Sequence, residues 1–145
     1  MIDKEVELLN LCRNACNEVF GEGEIFFLTS YVDRPASFPC VYMEQTNSYS
    51  MANMETQEST ENYAVLNYQF DIYSNKTNGR KQECRKIAGV IDEMMRKCNF
   101  RRTSMIHNYN PSEGTVYTND VHDENIYRLI LRYEGVASET HFYRR

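Results

Sequence analysis

The three histidines of this 145-residue chain are His107, His122 and His141, and only His122 stands among other potential ligands. It lies in "NDVHDEN" with Asp120, Asp123 and Glu124 beside it. A calcium loop of the EF-hand kind needs acids at alternate positions, a central glycine and a distal glutamate, and this spacing provides none of that pattern. A His–carboxylate pair can move a proton only when a reacting group stands within reach. No GxSxG elbow, phosphate-binding glycine loop or HExxH helix accompanies it. The segment reads as a solvated acidic loop. The chain is therefore expected not to be an enzyme and to have no catalytic, cofactor-binding or metal residues. A metal-dependent enzyme using His122, Asp120 and Asp123 is the weakest of the readings weighed.

Five cysteines, Cys12, Cys16, Cys40, Cys84 and Cys98, are scattered and odd in number. A zinc site asks for CxxC pairs or close Cys/His clusters, and neither is present. Free cysteine behaves as a small hydrophobe, so these are expected to be buried reduced thiols. With no signal peptide and no apolar run near ~18 residues, the expectation is a chain made in a cytoplasm, with no membrane partner.

The formal net charge is −5, from 21 acids against 16 bases. That argues against a sequence-independent grip on nucleic-acid phosphates, which needs clustered Lys and Arg. It remains compatible with a surface that DNA passes without sticking. The basic run "RKQECRK" is read as a solvated helix face. Eleven tyrosines exceed what a core of this size needs, and Tyr and Arg are enriched at protein interfaces.

The elements that must position these residues follow from periodicity. A helix is expected over 3–20, with Asp3 as N-cap and Val6, Leu9, Cys12, Cys16, Val19 and Phe20 as its apolar stripe. "EIFFLTSYV" (24–32) and "CVYMEQT" (40–46) read as strands, separated by the proline-broken "DRPASFP". Residues 47–61 show no clear period and are read as a mobile arm or extended hairpin, of a length that goes with function or with disorder. The strand over 62–74 has the clearest alternation. Ala64, Leu66, Tyr68, Phe70 and Ile72 point one way, and Tyr63, Val65, Asn67, Gln69, Asp71 and Tyr73 the other. A second helix over 80–98 carries Cys84, Ile87, Ala88, Ile91, Met94, Met95 and Cys98, with Asn99 as a left-handed residue after it. Strands over 100–109 and 126–137 follow, the last with Tyr127, Leu129, Leu131 and Tyr133 opposite Ile126, Arg128, Ile130 and Arg132.

The expected fold class is α/β in the α+β sense: a single mixed β-sheet of about five strands with two helices packed on one face. One domain spans 1–138, and 139–145 is a flexible tail. The sheet's other face is either wet or covered by another copy of the chain. Candidate contact residues are Tyr49, Met51, Met54, Asn67, Gln69, Asp71, Tyr73, Arg128 and Arg132. The loop methionines are included because flexible thioethers suit surfaces that repack on a partner.

The order of elements, together with "RPASFPCVYMEQ", "YAVLNYQFDIYSN" and "RKQECRKIAGVIDEMMRKCNFRR", resembles the tail terminator family of long-tailed phages, also called tail completion or head–tail joining proteins. The carrying part is "FDIYSN" leading to a helix with Ile87, Ile91 and Asp92 and then "CNFRR", and the likeness covers about 2–138. It implies a virion protein that forms a ring, usually of six copies, on the head-proximal end of the tail tube. The ring stops tube growth and presents a surface to the head connector, while DNA passes through its centre. The implied partners are further copies of the chain, the tail tube protein and the head connector or neck proteins. The implied cofactors are none. A neck adaptor or head-closure ring is the close alternative. A small cytosolic ligand-binding or regulatory α/β domain is the alternative from another class, and it would need a concave apolar pocket with convergent polar groups.

Overall fold

Leu8, Leu9, Cys12 and Cys16 recur at helical spacing, and α1 (Glu5–Phe20) buries them. The computed structural model describes residues 3–28, 37–50, 64–75, 78–108, 126–137 and 142–143, with backbone only at 49–50, 108 and 142–143. The cap of α1 lies one residue later than expected, at Lys4. Asp3 still serves the first turn, its Oδ1 accepting the Glu5 N–H at 2.9 Å. Two stripe residues are not buried: Val6 is 67% and Val19 63% exposed. Val6 lies about 100° round the helix from the middle of the stripe. Val19 lines a groove of about 180 Å³ between the helices with Val90 and Met94.

β1 (Phe26–Leu28) pairs parallel with the start of β2 (Cys40–Ser50). β2 pairs antiparallel with β3 (Ala64–Ser74), and β3 with β5 (Tyr127–Ala137). Between β3 and β5 the chain forms α2 (Arg80–Lys97) and then β4 (Arg101–Asn108), which pairs antiparallel with β5 at the sheet's edge. The order across the sheet is β1-β2-β3-β5-β4. This is the expected single mixed sheet with two helices. β2 runs four residues further than expected, so 47–50, assigned above to a loop, are strand. The segment expected as a loose tail contributes β6 (Phe142–Tyr143), paired with Val136 and Ala137 of β5.

The core lies between the helices and one face of the sheet. Leu66, Tyr68, Phe70 and Ile72 of β3 meet Leu129, Leu131 and Tyr133 of β5 and Ile87, Ile91 and Met95 of α2. All of these are almost fully buried, and each large side chain contributes about 1.5–3 kcal/mol of transfer free energy. Phe100 fills the space over Gly135: a Cβ there would stand 2.5 Å from its Cδ1. Asn99 takes the left-handed conformation after α2, with φ of 64°. Asp92 ties α2 to both edge-side strands. Its Oδ1 accepts the Tyr133 hydroxyl at 2.8 Å and Arg102 at 3.3 Å, and its Oδ2 accepts Arg96 at 2.7 Å. All five cysteines are free and buried. Burial pushes the Cys16 thiol up to about 11 and those of Cys40 and Cys84 up to about 12.

Candidate functional site: the face of the sheet away from the helices

Strand register places side chains in rows across the second face, because directly paired residues point to the same side. One row is Tyr42, Asp71, Ile130 and Ile106; the next is Glu44, Gln69, Arg132 and Ser104; then Asn47, Asn67, Glu134 and Arg101. The row on the other side of Asp71 holds Cys40, Tyr73 and Arg128. β3 is central, so its polar residues reach partners on both flanking strands.

The centre of this face is a closed network. Asp71 Oδ2 accepts Arg128 at 2.7 Å and the Tyr73 hydroxyl at 3.4 Å, while its Oδ1 accepts the Gln69 amide at 3.0 Å. The Arg128 guanidinium also sits 5.8 Å over the Tyr73 ring. Burial and the neighbouring carboxylate of Asp71 push the Tyr73 phenol up, against the pull of Arg128. Arg132 Nε continues the chain by donating to Gln69 Oε1 at 3.0 Å. Such charge-assisted bonds are stronger than neutral ones.

The expectation was a face either wet or covered by another copy of the chain, and part of it is covered by the chain itself. Asp71 and Tyr73 are each only 4% exposed. Cys40, Tyr73 and Ile126 form a second small apolar cluster, covered by Leu28, Phe38 and Tyr42. One end of the face is therefore closed by the chain itself, with Tyr73 and Asp71 forming its buried floor. Arg128 is spent largely on Asp71, with 20% of its side chain exposed. Asn67 and Gln69 remain half-buried and Arg132 exposed. Tyr49 lies in β2 opposite Val65, and Met51 and Met54 lie outside the described residues. The acidic cluster around His122 also lies outside them.

Sequence reasoning passed over Glu44, Glu134 and Arg101, which the register adds to the same surface. Alternation carried through β5 reaches Glu134, but Arg101 is hidden by a bulge at Thr103 that breaks the period of two in β4. Arg101 approaches Glu134 at 3.8 Å. What remains open is thus a mixed-charge strip with half-buried amides, able to form directional polar contacts but holding no nucleophile beside a base.

On the helix side, Phe20, Ile25, Pro39 and Ile87 line a cavity of about 320 Å³, with Glu24, Glu83 and Lys86 around it. Glu83 is engaged there by the Ser74 hydroxyl at 2.6 Å. Near the start of α2, His107 Nδ1 is hydrogen-bonded to the Tyr127 hydroxyl. Partial burial first, and then Lys81 and Arg85, hold its pKa below the ordinary value. Among the described residues no group of three or more His, Cys, Asp or Glu side chains is placed to hold a metal ion. Among the described residues no helix is long and apolar enough to cross a membrane. Neither protein-family models nor curated proteins gave a match to the chain.

Proposed function

We propose that this chain is a structural virion protein of the tail terminator kind: a ring at the head-proximal end of a phage tail tube that stops polymerisation and joins the tail to the head connector. The observation that carries the reading is the polar strip of Gln69, Asn67 and Arg132 on the sheet face opposite the helices. It is held rigid from below by the Asp71–Arg128 pair. A preorganised polar surface of this sort suits repeated contact between subunits, since little order has to be created on binding. The element order of the resemblance and the modest net charge, which suits a passage that must release DNA, add to it.

The test is to polymerise a tail tube protein from the same genome with and without this chain. Shorter tubes bearing a ring at one end are expected; unchanged lengths and bare ends would remove the reading. Binding to a portal–adaptor complex in preference to tube ends would move the chain to the neck adaptor role. The about 320 Å³ cavity beside Phe20 and Ile87 favours a second reading, a small ligand-binding domain, because it lies near the lower end of ligand-pocket sizes. A monomer whose melting rises with a bound metabolite, and which leaves tube ends untouched, would support that instead.

A further inference from the structure

Asn78 is the only asparagine of the chain followed by a glycine, in the segment "NKTNG" that leads into α2. The pair carries both halves of a reaction: the amide carbon Cγ of Asn78, and the backbone nitrogen of Gly79, which no side chain of its own residue shields. Asn78 and Gly79 are both exposed. The Gly79 carbonyl accepts the Glu83 N–H at 2.9 Å and opens α2, whereas the Gly79 N–H donates to no group among the described residues. The space around it is open as well, since a Cβ on Gly79 would meet only Gln82 Oε1, at 3.6 Å. Charge favours the same nitrogen. Losing its proton creates an anion, and Arg80 and Lys81 follow at once, at the positive end of an 18-residue helix.

We infer that Asn78 is a site of spontaneous deamidation, a modification this chain undergoes with water as the only co-reactant. The Gly79 nitrogen gives up its proton and attacks Cγ of Asn78, closing a five-membered imide. The Cγ–Nδ2 bond breaks, and Nδ2 takes up that proton and leaves as ammonia. Water then opens the ring at one of its two carbonyls. Cleavage between the nitrogen and Cγ leaves aspartate at position 78. Cleavage between the nitrogen and the main-chain carbonyl leaves isoaspartate, whose main chain runs through Cγ. Either way an amide and water become a carboxylate and ammonia, with nothing oxidised or reduced.

Both products place a carboxylate just before the N-terminus of α2, where no side chain caps the helix. They differ in the backbone. The link from β3 to α2 is tied across by the Ser74 hydroxyl, which donates to Glu83 Oε1 at 2.6 Å, and by the Glu83 N–H on Gly79. Isoaspartate adds one backbone atom inside that closed span and loosens the first turn of α2. Aspartate leaves it in place. Gly79, Gln82 and Glu83 also line the cavity of about 320 Å³, so the isoaspartate form alters that cavity's wall.

The test ages the full chain for days at mildly alkaline pH and maps its peptides by mass against a fresh sample. The peptide holding Asn78 is expected to gain one mass unit and to split into two chromatographic forms, with isoaspartate in excess. Its rate should fall within about tenfold of that of the free peptide "YSNKTNGRKQE", because an exposed link needs little local opening to react. Asn78→Gln must close a six-membered ring, so it is expected to abolish the change at this site while melting like the wild type. Amide exchange over 80–84 is expected to quicken by about tenfold in the isoaspartate form and to stay level in freshly made Asn78→Asp. An Asn78 that persists in the folded chain while the free peptide converts overturns the site, and so does a mass gain at this peptide that survives in Asn78→Gln. Unchanged exchange in the isoaspartate form overturns the loosening of α2 and leaves the modification standing.

Discussion

The two faces of one sheet are built on different physics. Towards the helices, Leu66, Phe70, Ile72, Leu129 and Leu131 are fully buried in an apolar core. On the other side the same strands hold a buried ion pair, the Gln69 amide bonded to Asp71 and Arg132, and an exposed arginine. A hydrophobic face tolerates no charge but is indifferent to which apolar partner fills it. A polar face is specific about partners and gains little stability from them. The first face makes the fold; the second is where a partner can be chosen.

The sharpest way to break the comparison is a charge in the helix face. Ile91→Asp is expected to abolish cooperative melting, because a buried unpaired carboxylate costs on the order of 5 kcal/mol or more, comparable with the whole stability of a domain. Next is alkaline pH. The folded pKa values of Cys16, Cys40 and Cys84 are raised from 9.0 to about 11, about 12 and about 12. The folded state therefore holds these protons longer than the unfolded one. Their contribution is complete below pH 9.0 and is lost as pH rises towards 11–12, at up to about 1.4 kcal/mol per pH unit for each thiol. Thermal melting followed from pH 7 to pH 11 should be level and then fall steeply; a level profile throughout would contradict the burial of the thiols.

On the polar face, Arg128→Ala leaves Asp71 without its cation and should cost about 2–4 kcal/mol, while Asp71→Asn/Arg128→Met should recover most of it. Denaturant midpoints of the wild type, Asp71→Asn, Arg128→Met and the double variant give the coupling directly. Gly135→Ala drives a methyl into the Phe100 ring and should cost about 1–3 kcal/mol. Smallest of all, Arg132→Ala should change stability by no more than about 0.5 kcal/mol, as surface substitutions do. A large loss there would make the strip part of the fold rather than a contact surface.

The helix face was legible in the sequence because one-sided burial imprints its own period: the α2 residues Cys84, Ile87, Ala88, Ile91 and Met95 are all buried as their spacing predicts. Val6 and Val19 of α1 misled because apolar character does not report how far a neighbouring element extends. The polar face was legible only as alternation. Nothing in "NYQFDIYSN" says that Asp71 meets Arg128, 57 positions away, or that Leu28 and Phe38 cover Tyr73. The first comes from the crossover that places β5 between β3 and β4, and the second from the parallel pairing of β1 with β2 beside β3. The bulges after Gln45 and Arg102 were equally unreadable, since each depends on the partner strand. At both, a threonine hydroxyl, Thr46 or Thr103, bonds a carbonyl across the strand gap at 3.3 Å.

The account stands on the polar strip being a contact surface and not a wet face without a role. Asn67→Glu/Arg132→Glu inverts its charge while leaving the Asp71–Arg128 pair in place. With melting within about 0.5 kcal/mol of wild type, the variant should leave growing tail tubes long and uncapped where the wild type shortens and caps them. Tubes capped by the variant as well as by the wild type would contradict the account.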